Sequence, residues 1–168
     1  MAASSNDHYI DTNVVIECFR VGGWKALASR HRLVTVDKVI KECAAGAGRR
    51  KGYVVVDAAG VKSQTQVHNV SPSELASLQL QLAGRVNLDP GEENLLAKAA
   101  TDRGSWFICS PDGALVRACS LLHCVDRVVS LESLLAAAGF TPKTALQHQY
   151  TERWLSRKRT QLLLESSD

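Results

Sequence analysis

A chain of 168 residues, 45% hydrophobic and 22% charged, has enough apolar content to bury one sizeable core and too much to stay disordered. It carries no apolar run long enough to cross a bilayer, and its opening MAASSNDH lacks the basic-then-apolar order of a signal peptide, so a cytoplasmic protein is expected. The net charge of +3 equals the surplus of one segment, where Arg153, Arg157, Lys158 and Arg159 stand against Glu152, a pattern that suits either a solvated helix face or contact with a polyanion.

In chain order, HYIDT (residues 8–12) predicts a short buried strand. Residues 14–30 predict helix, broken near Gly22 and Gly23, and RLVTV (32–36) a second strand. Asp37 is placed to cap a helix running to Ala45, and GAGRRKG (46–52) predicts a flexible basic loop. YVVVD (53–57) fits a short strand or an extended crossover equally well. Ser71 with Glu74 three residues on, and Asp89-Pro90-Gly91-Glu92, are start signals for two further helices. WFICS (106–110) predicts a buried strand, DGALVRACSLLH a helix, and DRVVSLESLLAAAGF a last short strand and helix. Residues 143–164 predict a terminal helix, so residues 1–140 form the domain and 141–168 a helical extension packed on it.

Continuously apolar strands alternating with helices imply a parallel sheet covered on both faces, a three-layer α/β/α domain. In such sheets ligands bind beyond the carboxyl ends of the strands, where strand order reverses. The five cysteines, Cys18, Cys43, Cys109, Cys119 and Cys124, are odd in number and form no C-x-x-C, which reads as reduced core residues. Cys119, His123 and Cys124 on one short helix cannot close a tetrahedral zinc site.

Four acids fall on four separate elements. Asp11 ends the first strand, Glu42 lies in the helix after the second, Glu92 opens a helix, and Asp112 follows the WFICS strand. Each has a purely structural use: Asp11 or Asn13 as a cap, Glu42 as a solvated helix residue, Glu92 in a capping box, Asp112 as a cap before Gly113. Stepping 100° per residue, Leu95, Leu96, Ala99 and Ala100 form an apolar stripe with Glu92 near its middle and Glu93 at its edge. A carboxylate on a buried stripe needs a proton or a cation, and several converging carboxylates with hard oxygen ligands suit Mg²⁺ or Mn²⁺.

These motifs together resemble the PIN-domain family of metal-dependent ribonucleases, which includes the VapC-type toxins. The family pattern is an Asp ending the first strand with Asn or Ser two residues later, a Glu after the second strand, a Gly-Glu at a helix start, and an Asp two residues beyond a Ser or Thr after a later strand. Here these are Asp11 with Asn13 in YIDTN, Glu42 in VTVDKVIKEC, Glu92 in DPGEENLLAKAA and Asp112 with Ser110 in FICSPDGALVRA, over residues 9 to about 130. Residues 53–70 match no motif of the family, and the tail after residue 140 is longer than a compact PIN domain requires.

The resemblance implies hydrolysis of RNA to 5′-phosphate and 3′-hydroxyl products, with Asp11, Glu42, Glu92 and Asp112 holding one or two Mg²⁺ or Mn²⁺ ions. Asn13 and Ser110 would then be polar supports. Arg49, Arg50 and Lys51, or Arg153, Arg157, Lys158 and Arg159, are the candidates for holding a single-stranded or structured RNA. It also brings the role of toxin in a toxin–antitoxin pair, with an antitoxin protein and a second copy of the chain as partners. A phosphatase with an Asp nucleophile would want a second Asp where Asn13 stands, and no glycine-rich phosphate loop occurs. The competing expectation is a non-catalytic PIN-like scaffold or partner-binding domain.

Overall fold

The computed structural model describes residues 6–46 and 54–167. Five strands form one wholly parallel sheet: β1 (Asp7–Ile10), β2 (Arg32–Val36), β3 (Gln66–His68), β4 (Trp106–Cys109) and β5 (Val128–Val129), in the order β3-β2-β1-β4-β5. Among the described residues nine α-helices connect and flank them: α1 (Thr12–Arg20), α2 (Trp24–Arg30), α3 (Asp37–Gly46), α4 (Ala58–Gln64), α5 (Pro72–Leu82), α6 (Pro90–Thr101), α7 (Gly113–Leu121), α8 (Leu131–Ala137) and α9 (Glu152–Glu165). The result is the expected three-layer α/β/α domain, and no helix in it is long and apolar enough to cross a membrane among the described residues.

The strands are apolar because both faces of the sheet are covered. Ile10, Val34, Val36 and Ile108 are wholly buried, each side chain contributing about 1.5–3 kcal/mol of transfer free energy. β1 is central, with β2 on one side (His8 opposite Leu33) and β4 on the other (Ile10 opposite Cys109). The chain leaves β1 for β2 and β3, then crosses back to β4 and β5. Strand order therefore reverses at β1, and the carboxyl ends of β1 and β4 flank the switch point. Buried Thr35 of β2 donates its hydroxyl to the carbonyl of Ile10 (2.9 Å), pinning the end of β1 one residue before Asp11.

Local signals set the helix starts. Ser71–Glu74 and Asp89–Glu92 form capping boxes with proline inside the first turn. Gly23 closes the break between α1 and α2, and a Cβ built there would lie 2.8 Å from Leu135, so α8 packs where only a hydrogen fits. Asp37 is the first helical residue rather than a cap: β2 runs straight into α3, and Asp37 pairs with Lys41 at 2.7 Å. Residues 54–57 are neither strand nor helix, and the place beside β2 goes to Gln66–His68. The terminal helix begins at Glu152, with Thr151 as its cap; the stretch before it holds only a 3-10 turn at His148–Tyr150.

The C-terminal segment shares the main core through Tyr150, Leu155 and Leu162. It is also latched to α1. Buried Glu17 takes two hydrogen bonds from Arg20 (2.6 and 2.8 Å) and one from the backbone N–H of Gln147 (2.8 Å). Arg20 also donates to the Ala145 carbonyl at 2.8 Å.

Candidate metal centre

Asp11 follows β1 directly and is 2% exposed. One carboxylate oxygen accepts the Val14 N–H (2.9 Å), capping α1, and the other accepts the Ser110 hydroxyl (2.7 Å) from the end of β4. Capping and a site role thus coexist in one side chain. Ser110 Oγ in turn accepts the Asp112 N–H at 3.2 Å, and Asp112 caps α7 through the Ala114 N–H at 2.6 Å. The expected support residue Ser110 is therefore the link between two of the expected acids. Pro111 lies in that turn and lines a small gap together with Tyr150 and Trp154 of the C-terminal segment.

Glu92 sits on the buried stripe of α6, 3% exposed, as its helical phase requires. Its Oε2 faces the Asp89 N–H at 3.4 Å, while its Oε1 is buried with no hydrogen-bond partner among the described residues. A buried carboxylate oxygen left unpaired costs free energy unless a proton or cation meets it. Glu93, rotated off the stripe, instead accepts from the Gln79 amide at the surface (2.8 Å). Half-buried Glu42 reaches the same region from α3: its Oε2 accepts the Thr12 hydroxyl at 2.6 Å. A Cβ built on Gly91 would stand 2.5 Å from that oxygen, so the glycine leaves the space that Glu42 occupies.

Burial and mutual repulsion couple members of the group. Burial pushes Asp11 up to about 6, offset by the bonds from Ser110 and Val14 and reinforced by Asp89 and Asp112. Burial likewise pushes Glu92 up to about 8, with Asp112, Asp89 and Asp11 adding repulsion. Asp11, Glu92 and Asp112 therefore lie within electrostatic reach of one another near the ends of β1 and β4, and Glu42 borders them through Thr12 and Gly91. Among the described residues, however, no group of three or more His, Cys, Asp or Glu side chains is drawn close enough to grip an ion as they stand. The residues fit a divalent ion in donor type and in the orphaned Glu92 oxygen, and an ion would have to draw the carboxylates inward.

Three members of the site escape sequence reading. Asp89 adds a fifth carboxyl group; its link to Glu92 through the capping box is the available signal. Thr12 orients Glu42, and Gly91 makes room for it; both depend on a neighbour from another element. Asn13 is half-buried, and its carbonyl accepts the Tyr150 hydroxyl at 3.2 Å. Of the basic candidates, Arg49, Arg50 and Lys51 lie outside the described residues. Arg153 and Arg157 are exposed, Arg159 turns inward to the Val128 carbonyl and Glu152, and Lys158 leans on α7, its Nζ 3.2 Å from a Cβ built at Gly113. Cys18, Cys43, Cys109 and Cys119 are buried free thiols, and Cys124 is half-buried. Compared with family models and with curated proteins, the sequence matches none.

Proposed function

We propose that this protein is a divalent-metal-dependent endoribonuclease hydrolysing phosphodiester bonds of RNA, with Asp11, Glu42, Glu92 and Asp112 as ligands of Mg²⁺ or Mn²⁺. The observation that carries the reading is Glu92 Oε1, buried and without a hydrogen-bond partner among the described residues, beside other acids at the switch point of a parallel sheet. The order of motifs and their resemblance to the PIN family support it further. A bound divalent ion would supply Lewis acidity towards the phosphate and lower the pKa of an attacking water.

The chain's own residues supply the rest. Ser110 and the Val14 N–H fix both oxygens of Asp11, leaving each a second lone pair for a ligand. Thr12 fixes Glu42. Without a cation, Glu92 holds a proton at neutral pH, and binding a cation releases it. Lys158, beside the start of α7, and exposed Arg153 and Arg157 on the same helix offer cationic contacts to an RNA backbone. The toxin role, an antitoxin partner, a homodimer and a cytoplasmic location rest on the resemblance and the sequence reading.

A scaffold reading is favoured by one observation, the lack of three acids within gripping distance among the described residues. Incubation with labelled single-stranded RNA separates the two. The nuclease reading expects cleavage that needs Mg²⁺ or Mn²⁺, stops with chelator and is lost in Asp11→Asn. Equal cleavage by Asp11→Asn and wild type would overturn the mechanism, and no cleavage with either ion would favour the scaffold.

A further inference from the structure

Two of the five cysteines stand together where α7 ends, at the opposite end of that helix from Asp112. α7 closes in a Schellman turn. The Cys124 N–H donates back to the Cys119 carbonyl (2.8 Å), and the His123 N–H to the Ser120 carbonyl (3.1 Å). His123 takes the left-handed conformation, φ 57°, that the turn needs at this position. Such a turn sets its first and sixth residues side by side, and here both are cysteines. The 2.8 Å backbone bond between them keeps their Cα atoms within about 7 Å whatever its angle, which is the reach of a disulfide.

The two thiols differ in setting. Cys119 is wholly buried, whereas Cys124 is half-buried. Hydrogen bonding from the Cys119 thiol pulls Cys124 below the usual thiol range; Arg127 adds to this, while burial and Asp126 oppose it. The same bond, together with burial, pushes Cys119 well up. Cys124 is thus the accessible nucleophile, and Cys119 holds a proton behind it. Burial pushes the thiols of Cys18 and Cys109 up as well, which keeps them inert.

We infer that Cys124 and Cys119 form a thiol-oxidation site, at which hydrogen peroxide oxidises Cys124 and Cys119 then closes a disulfide with it. The Cys124 thiolate attacks one peroxide oxygen, and the O–O bond breaks. The departing hydroxide leaves as water with the proton that Cys124 gave up, and Cys124 becomes a sulfenic acid. The Cys119 sulfur displaces the sulfenic hydroxyl, which leaves as water with the Cys119 proton as the S–S bond forms. Two thiols and one peroxide give one disulfide and two waters; the sulfurs are oxidised and the peroxide oxygens reduced. The site does not depend on the ribonuclease reading of the acids.

The test exposes the folded full-length chain to hydrogen peroxide, alkylates the remaining thiols in denaturant and maps the tryptic peptides by mass. Cleavage after Arg117 and Arg127 releases Ala118–Arg127 with both cysteines in one peptide. In wild type that peptide should be unalkylated and lighter by two hydrogens, while Cys18, Cys43 and Cys109 remain reduced. Cys124→Ser should leave Cys119 reduced. Cys119→Ser should stop at a Cys124 sulfenic acid that dimedone traps. Wild type and Cys124→Ser, which alters only a half-buried side chain, carry the test even where Cys119→Ser does not fold. Alkylation of both sulfurs in the peroxide-treated wild-type peptide, a bridge from either cysteine to another thiol, or oxidation of Cys119 in Cys124→Ser would overturn the site.

Discussion

Replacing Glu92 with Gln keeps the shape of the side chain and removes its ability to carry charge. Burial and three neighbouring acids raise this carboxyl from 4.5 to about 8. Because the folded-state value is the higher one, the group's contribution is fully present below pH 4.5 and is lost as pH rises through about 8. At pH 7 the folded chain must hold a proton that the unfolded chain releases, which costs about 3 kcal/mol. Glu92→Gln removes that cost, and its amide oxygen can still face the Asp89 N–H. In the presence of chelator the variant should therefore melt several degrees above wild type at pH 7, at about 2–4 °C per kcal/mol for a domain of this size. The gap should widen towards pH 8 and close near pH 4.5. Adding Mn²⁺ should narrow it, because the ion stabilises only the folded state that assembles the ligands. Thermal melts at three pH values decide the matter. A variant less stable than wild type, by an amount that does not change with pH, would refute the claim that Glu92 is buried against its charge.

Two further outcomes follow from contacts at and behind the site. Gly91→Ala places a methyl 2.5 Å from Glu42 Oε2, so the carboxylate must leave its bond to Thr12. Helix propensity favours alanine by about 1 kcal/mol, so stability should hold or rise in a denaturant melt while metal-dependent cleavage falls, and unchanged cleavage would show that Glu42 is dispensable. Arg20→Ala leaves buried Glu17 with the Gln147 N–H as its remaining hydrogen bond among those to Arg20 and Gln147. Because Arg20 is partly exposed, the cost should be about 2 kcal/mol, below the range for a fully buried pair, with faster hydrogen exchange at residues 145–147; a wild-type denaturant midpoint would reduce the latch to a surface contact.

The strands nearest the site were legible because they are buried on both faces and therefore apolar throughout. Asp11 and Asp112 were legible because they end such strands, and Glu92 because a glutamate on an apolar helical stripe is out of place. β3 was not: Gln66-Val67-His68 is a short, half-exposed edge with one apolar residue. Residues 54–57 look more like a strand than β3 does, yet Val55 is 66% exposed while Val56 is buried. Strand propensity reports fit to a half-buried surface, and which run docks beside β2 is decided by the chain's path, which local pattern does not carry. The sequence pattern predicts too long a terminal helix because its apolar positions continue into a segment held by side-chain bonds to α1 rather than by helical ones. Thr12, Asp89 and Gly91 have roles only in company: a hydroxyl, a cap and a missing methyl become site features when α3 and α6 are brought together.

The claim that these carboxylates form one metal centre is tested most directly by titrating Mn²⁺ into wild type, Asp11→Asn, Glu92→Gln and Glu93→Gln while following free Mn²⁺ by electron paramagnetic resonance. Wild type and Glu93→Gln should bind alike, since Glu93 is tied to Gln79 outside the cleft. Asp11→Asn and Glu92→Gln should each lose affinity, by ten-fold or more on the scale of roughly 10–100-fold seen even for the groups that orient metal ligands. Equal affinity across all four proteins, or no binding by wild type, would contradict the metal centre.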